Sequence, residues 1–83
     1  MKKTVLIVED EKKLANILIE YLQKDGFQTK HIAIGSEVIP WVKGHNPDLI
    51  LLDLMLPEMN GKQICQEIRT FSSLPIIMVT AMV

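Results

Sequence analysis

The sequence has little of what marks several common classes of protein. Its one cysteine, Cys65, allows neither an internal disulfide nor a multi-cysteine zinc site and suits a reducing compartment. No apolar run approaches the ~20 residues of a membrane helix, and the acidic residues 9–11 interrupt any signal-peptide pattern. Nine basic and ten acidic residues give a net charge of −1, which favours neither nucleic acid nor anionic lipid. We therefore expect a soluble, cytoplasmic chain that binds no membrane and no nucleic acid.

The sequence does contain enough apolar residues for a core. Its 83 residues are 48% hydrophobic and 23% charged, which excludes intrinsic disorder and allows one small domain. Short apolar runs alternate with helical patterns along the chain. The runs predict strands at Thr4–Val8, Phe27–Ile32, within Asp48–Leu54 and at Ile76–Thr80.

Three segments between these strands have helical periodicity. The first begins at Lys12 and ends near Gly26, with an apolar stripe of Leu14, Ile17, Leu18, Tyr21 and Leu22. The second is short, with Ser36 as its cap. The third runs from about Gly61 to Phe71, with Ile64, Ile68 and Phe71 on its inner face. The order β-α-β-α-β-α-β predicts a parallel α/β sheet with helices on both faces.

Acidic side chains follow two of the predicted strands. Open parallel sheets bind ligands at the carboxyl ends of their strands, where the strand order reverses. Glu9 and Asp10 follow the first strand, and Asp53 interrupts the apolar run of the third. Each alone has an ordinary explanation, since acidic residues often open a helix and an aspartate can cap one. Carboxylates that converge need a cation to offset their repulsion, and oxygen donors without nearby His or Cys favour Mg²⁺.

A carboxylate beside Mg²⁺ is a candidate phosphoryl acceptor. The metal neutralises charge on the transferred group, and the carboxylate attacks as a nucleophile to give an acyl phosphate. Thr80, at the end of the fourth predicted strand, places a hydroxyl opposite.

These residues belong to a set of motifs that runs the length of the chain. The set comprises Glu9-Asp10, Asp53 within Leu52–Pro57, Gly61 four residues after that proline, and Val79-Thr80-Ala81. Together they resemble the receiver domain of bacterial two-component response regulators. The residues around Asp53 are similar to the OmpR/PhoB-like branch, whose members regulate transcription through a C-terminal winged-helix DNA-binding domain.

The resemblance implies the fold, the chemistry and the partner. The fold would be flavodoxin-like (CheY-like), and the phosphoryl donor would be a sensor histidine kinase. The chain would be a phosphoacceptor rather than an enzyme, with at most self-phosphorylation from a phosphodonor and slow self-dephosphorylation. DNA would be bound by the parent protein and not by this chain.

The resemblance also implies a role for each site residue. Asp53 would accept the phosphoryl group and also bind Mg²⁺. Asp10 would bind Mg²⁺ directly, and Glu9 would act on the metal through water. The remaining implied positions are a metal ligand at the backbone carbonyl of Met55, a switch hydroxyl at Thr80 and an open pocket wall at Ala81.

The family pattern continues past the last residue of this sequence. It has a fourth helix, a fifth strand with a terminal lysine that pairs with the phosphoryl group, and a fifth helix. Residues 1–83 are therefore expected to be the N-terminal two-thirds of a receiver domain. Either the chain was truncated, or these residues are the ordered part of a longer protein. We expect an exposed fourth strand and weak stability, or else a homodimer or a segment-swapped oligomer.

Two other functions stay open at this point. An enzyme of similar fold that binds a nucleotide or flavin needs a Gly- or Ser/Thr-rich phosphate loop after the first strand, where this chain has Glu9, Asp10 and Glu11. The second is a receiver-shaped binding or dimerisation module that is not phosphorylated. The sequence is compatible with such a module because it does not include the lysine that ends the fifth strand of the family pattern.

Overall fold

The computed structural model describes residues 2–57 and 59–79 of the chain. Strands and helices alternate within these ranges, as the sequence predicts. No helix in them has the length and apolar character needed to cross a membrane. The elements are β1 (Thr4–Val8), α1 (Lys12–Lys24), β2 (Gln28–Ile32), a 3-10 turn (Gly35–Glu37), α2 (Val38–His45), β3 (Leu49–Asp53), α3 (Gly61–Arg69) and β4 (Ile76–Val79).

The described strands form one parallel sheet in the order β2-β1-β3-β4. Within β1, Leu6 pairs with Lys30 of β2 on one side and with Ile50 of β3 on the other. The strand order reverses here because the chain leaves β1 first toward one side and later toward the other. The crevice outside the carboxyl ends of β1 and β3 is therefore where this class of sheet binds ligands.

One face of the sheet carries the main hydrophobic core. Successive side chains of a strand lie on opposite faces, so alternate residues such as Leu6 and Ile50 meet α2 and α3. Ile64 and Ile68 of α3 pack there with no exposed surface, as predicted. Burial of one such side chain stabilises the fold by about 1.5–3 kcal/mol. The cluster comprises Leu6, Val8, Ile32, Val38, Val42, Ile50, Leu52, Leu56, Ile64 and Ile68.

Helix α1 contacts β1 and β2 and covers the opposite face of the sheet. The predicted stripe is wrong for two residues, because Ile17 is 51% and Tyr21 is 71% exposed. The helix turns its fully buried Ala15 toward the sheet instead. The buried and partly buried residues of α1 are Leu14, Ala15, Leu18, Ile19 and Leu22.

Two further details of the prediction are wrong. Ser36 does not cap the second helix, because it lies inside the 3-10 turn that leads directly into α2. Phe71 is not on the inner face of α3, because that helix ends at Arg69 and its periodicity does not extend further. Phe71 is exposed, and the Nζ atom of Lys43 lies 5.0 Å from its ring centroid.

Candidate functional site

Three carboxylates converge at the carboxyl ends of β1 and β3. Glu9 and Asp10 follow β1, and Asp53 is the last residue of β3. One oxygen from each lies within 4.8 Å of the others. Glu9 is only 5% and Asp53 only 6% exposed, whereas Asp10 is exposed to solvent. The strand order thus joins residues that are more than 40 positions apart in sequence.

The side chain of Asp53 accepts a hydrogen bond from the backbone just after β3 and does not cap α3. Its Oδ1 atom accepts a hydrogen bond from the backbone N–H of Met55 at 2.9 Å. The N-terminus of α3 is capped instead by Asn60, whose Oδ1 accepts from the backbone N–H of Lys62 at 2.8 Å. Helix capping therefore does not explain why an aspartate ends the most apolar strand of the sheet.

Gly61 fixes the chain that follows Asp53. Its N–H donates to the carbonyl of Leu54 at 3.2 Å, which folds the start of α3 back over the strand end. A Cβ atom at this position would lie 2.6 Å from the Asp53 carbonyl oxygen and 2.8 Å from the Leu54 Cα. Glycine is therefore required here by close backbone approach. The family resemblance includes Gly61, but the sequence alone does not show why glycine is needed at this position.

Glu9 is fixed by three hydrogen bonds at the end of β1. Its N–H donates to the carbonyl of Ile32 at 3.1 Å, which continues the pairing with β2. Its carbonyl accepts from the Nε2 atom of His31 at 2.7 Å, and its side-chain Oε2 accepts from the N–H of Glu11 at 3.0 Å. Sequence reasoning missed the role of His31, because only the register between β1 and β2 places its ring beside Glu9.

The acidic cluster is electrostatically unfavourable without a cation. Burial raises the pKa of Glu9 from 4.5 to about 7, and the neighbouring Asp53 and Asp10 act in the same direction. The hydrogen bond from Glu11 opposes this rise in pKa but does not cancel it. The cluster therefore retains a proton near neutral pH that a bound cation would displace.

The residues present fit Mg²⁺. The site offers one oxygen from each of three carboxylates, with Glu9 and Asp53 buried and Asp10 open to solvent. Mg²⁺ prefers such oxygen ligands and keeps several water molecules, so it needs only one or two direct carboxylates. The predicted ligand at the Met55 carbonyl remains a prediction. Thr80 and Ala81 lie outside the described residues.

Comparison with known proteins identifies the family. Residues 5–83 match the response regulator receiver domain. The chain belongs to this family. The parallel α/β sheet is accordingly the CheY-like receiver fold, and solved receiver domains superpose on it over nearly the whole chain.

The receiver domain has curated relatives among transcriptional regulators. It is 53% identical to the transcriptional regulatory protein BaeR of Escherichia coli over 93% of the chain, which is 32% of BaeR. It is 44% identical to the DNA-binding response regulator MtrA of Mycolicibacterium smegmatis over 98% of the chain, which is 36% of MtrA. The chain thus spans about a third of the length of these relatives.

One similar solved structure contains Mg²⁺ and BeF. The response regulator TrrA of Thermotoga maritima, in complex with Mg²⁺ and BeF, is 32% identical over 96% of this chain and 70% of TrrA, with a TM-score of 0.90. The chain is therefore a receiver domain of the two-component response regulators.

Proposed function

We propose that Asp53 is the phosphoryl acceptor of this receiver domain. The observation that supports the proposal is the meeting of Asp53 with Glu9 and Asp10 within 4.8 Å at the strand ends. The Met55 N–H holds Oδ1 of Asp53, which leaves Oδ2 to attack phosphorus. With a phosphohistidine donor, the new O–P bond forms as the N–P bond breaks, and the leaving imidazole takes up a proton.

The other site residues are proposed to prepare this step. Asp10 binds Mg²⁺ directly, Glu9 binds it through water, and the backbone carbonyl of Met55 is a further ligand. When bound, Mg²⁺ offsets the negative charge of the phosphoryl group and of the carboxylates. A bound cation would favour the ionised form of Glu9, because its positive charge would offset the burial and the neighbouring carboxylates that raise the pKa. Thr80 is the switch hydroxyl, and Ala81 keeps the pocket wall open.

We propose a sensor histidine kinase as the partner, of the BaeS kind if the likeness to BaeR extends to the kinase. The phosphorylated parent would regulate transcription in the cytoplasm through a DNA-binding domain outside this chain. Support comes from the relatives, one named as a transcriptional regulatory protein and the other as a DNA-binding response regulator. Beyond accepting a phosphoryl group from a kinase, the chain would catalyse at most its own phosphorylation from a phosphodonor and its own slow dephosphorylation.

We also propose that copies of this chain associate through β4. Ile77 and Met78 are 52% and 40% exposed on opposite faces of this outer strand. The strand Ile76–Val79 has no charged side chain, so nothing in it opposes edge-to-edge pairing. Sedimentation velocity over a range of concentrations tests this. Weaker association in Met78→Lys supports the proposal, whereas a monomer at all concentrations contradicts it.

Intact-mass measurement tests the phosphoacceptor directly. The chain is incubated with Mg²⁺ and phosphoramidate beside Asp53→Asn and the control Asp25→Asn, whose exposed carboxylate lies at the end of α1. We expect one phosphoryl group on the wild type and on Asp25→Asn, and none on Asp53→Asn. Labelling of Asp53→Asn would contradict the assignment. No labelling of any variant would favour the receiver-shaped module that is not phosphorylated.

A further inference from the structure

The outer edge of β2 has main-chain groups available for another strand. Parallel strands direct the N–H and C=O of alternate residues to opposite sides. The Gln28 N–H donates to the Lys3 carbonyl and the Ile32 carbonyl accepts from the Glu9 N–H, so both residues face β1. Thr29 and His31 therefore direct their N–H and C=O groups outward. No described strand pairs with this side of β2.

A groove borders the first part of this edge. It has a volume of about 740 Å³ and includes residues from both faces of β2. On one face, Gln23 of α1 donates to the Thr29 hydroxyl at 3.2 Å. On the other, the rings of Trp41 and His45 of α2 stack at 4.3 Å between centroids with 8° between their planes, which makes a flat aromatic wall. The groove thus lies beside the first part of the strand edge, where Thr29 lines it.

Basic side chains line the groove. Lys2 and Lys30 line it, and no described acidic residue does. The carboxylate of Asp48 lies close by but is bound to the Thr4 N–H at 2.8 Å. These charges also disfavour a second copy in this place, because antiparallel pairing of two β2 edges would bring like-charged Lys30 side chains together.

We propose that the outer edge of β2 is a docking site for an extended acidic peptide segment of a partner protein. Main-chain hydrogen bonds to Thr29 and His31 provide the pairing, as in other cases of strand addition. Acidic side chains of the peptide lie beside Lys2 and Lys30, and an apolar side chain rests on the Trp41–His45 wall. The docking edge contains none of the three clustered carboxylates, but it adjoins them, because the Nε2 atom of His31 donates to the Glu9 carbonyl at 2.7 Å.

Fluorescence anisotropy tests the charge preference. The probe is a labelled peptide of alternating valine and glutamate, and the control peptide has lysine in place of glutamate. We expect the acidic peptide alone to bind, and Lys30→Glu to weaken it at least about tenfold. The matched control Lys43→Glu, on α2 but outside the groove, leaves binding unchanged. Equal binding of both peptides, or no binding of either, overturns the proposal.

Hydrogen exchange of single amides tests the strand pairing. We expect fast exchange at Thr29 and His31 in the chain alone and slow exchange with the acidic peptide. A peptide N-methylated at alternate residues cannot pair and should give no protection, which keeps the test decisive if Lys30→Glu fails to fold. Binding without protection of these two amides would mean charge attraction only. Protection that appears on concentrating the chain alone would mean that a second copy occupies the edge; either result overturns the proposal.

Discussion

The middle of β1 and β3 and their carboxyl ends have opposite effects on the folded state. Leu6 and Leu52 lie within the two strands, fully buried against α2 and α3, and stabilise the sheet. One residue beyond Leu52, Asp53 is nearly as buried but meets Glu9 and Asp10. The same strands therefore contain fully buried apolar residues and, at their ends, carboxylates that repel one another.

This difference shows how a small sheet can hold a reactive site. Burial of several large apolar side chains, each worth about 1.5–3 kcal/mol, keeps the strands in register despite the repulsion at their ends. The repulsion in turn makes the strand ends attractive to a cation. The predictions that follow alter the two regions separately.

The largest expected effect comes from the packed region. Leu52→Ala should lower the free energy of unfolding by about 2–5 kcal/mol, because it leaves a cavity beneath α2 and α3. Urea unfolding measures the loss. The control Ile77→Ala removes a side chain that is half exposed on β4 and should cost far less. Equal losses in the two variants would contradict the account of the core.

A smaller effect is expected at the acidic ends, and it depends on pH. The folded-state pKa of Glu9 is raised to about 7, so the folded chain binds more protons than the unfolded one between about pH 4.5 and 7. Relative to Glu9→Gln, the wild type should therefore lose stability as pH rises through this window. The difference should reach about 1–3 kcal/mol above pH 7 without divalent cations.

Urea unfolding across pH measures that difference. Glu20→Gln is the matched control, since Glu20 is exposed on α1 and far from the cluster. It should follow the wild type at every pH. A wild type that gains stability relative to Glu9→Gln between pH 4.5 and 7 would show that the folded state favours the ionised carboxylate.

A change at Gly61, the first residue of α3, should lower the free energy of unfolding by about 1–3 kcal/mol. Gly61→Ala would place a Cβ atom against the Asp53 carbonyl and push α3 away from the strand end. Gly44→Ala is the matched control, because its Cβ would meet nothing within 4 Å and alanine favours a helix. Thermal unfolding should show a lower midpoint than the wild type for Gly61→Ala. The midpoint of Gly44→Ala should not be lowered. Similar midpoints for the wild type and Gly61→Ala would show that the backbone at the start of α3 can move to accept the Cβ atom, and would contradict the prediction.

The sequence was sufficient to predict the strands and the meeting of the acidic residues. Asp53 and Glu9 follow apolar runs, and the topology of a parallel α/β sheet then determines which strand ends are neighbours. Their burial against one another, and the raised pKa of Glu9, depend on distances that the sequence does not contain.

The errors arose where local periodicity was extended beyond what it determines. A helical stripe identifies apolar positions but not the rotation of the helix on its sheet, so Ile17 and Tyr21 were placed inward while Ala15 is the buried residue. Phe71 was assigned to a helix that ends two residues earlier. The contact between His31 and Glu9 required the register of β1 with β2.

The most direct test of the account is the effect of Mg²⁺ on stability at pH 8. Urea unfolding is measured with and without Mg²⁺ at constant ionic strength, for the wild type and for Asp10→Asn. Free Mg²⁺ at about ten times its dissociation constant should stabilise the wild type by about 1.4 kcal/mol, and Asp10→Asn by much less. Equal stabilisation of both chains, or none of the wild type, would contradict the claim that a cation offsets the repulsion among Glu9, Asp10 and Asp53.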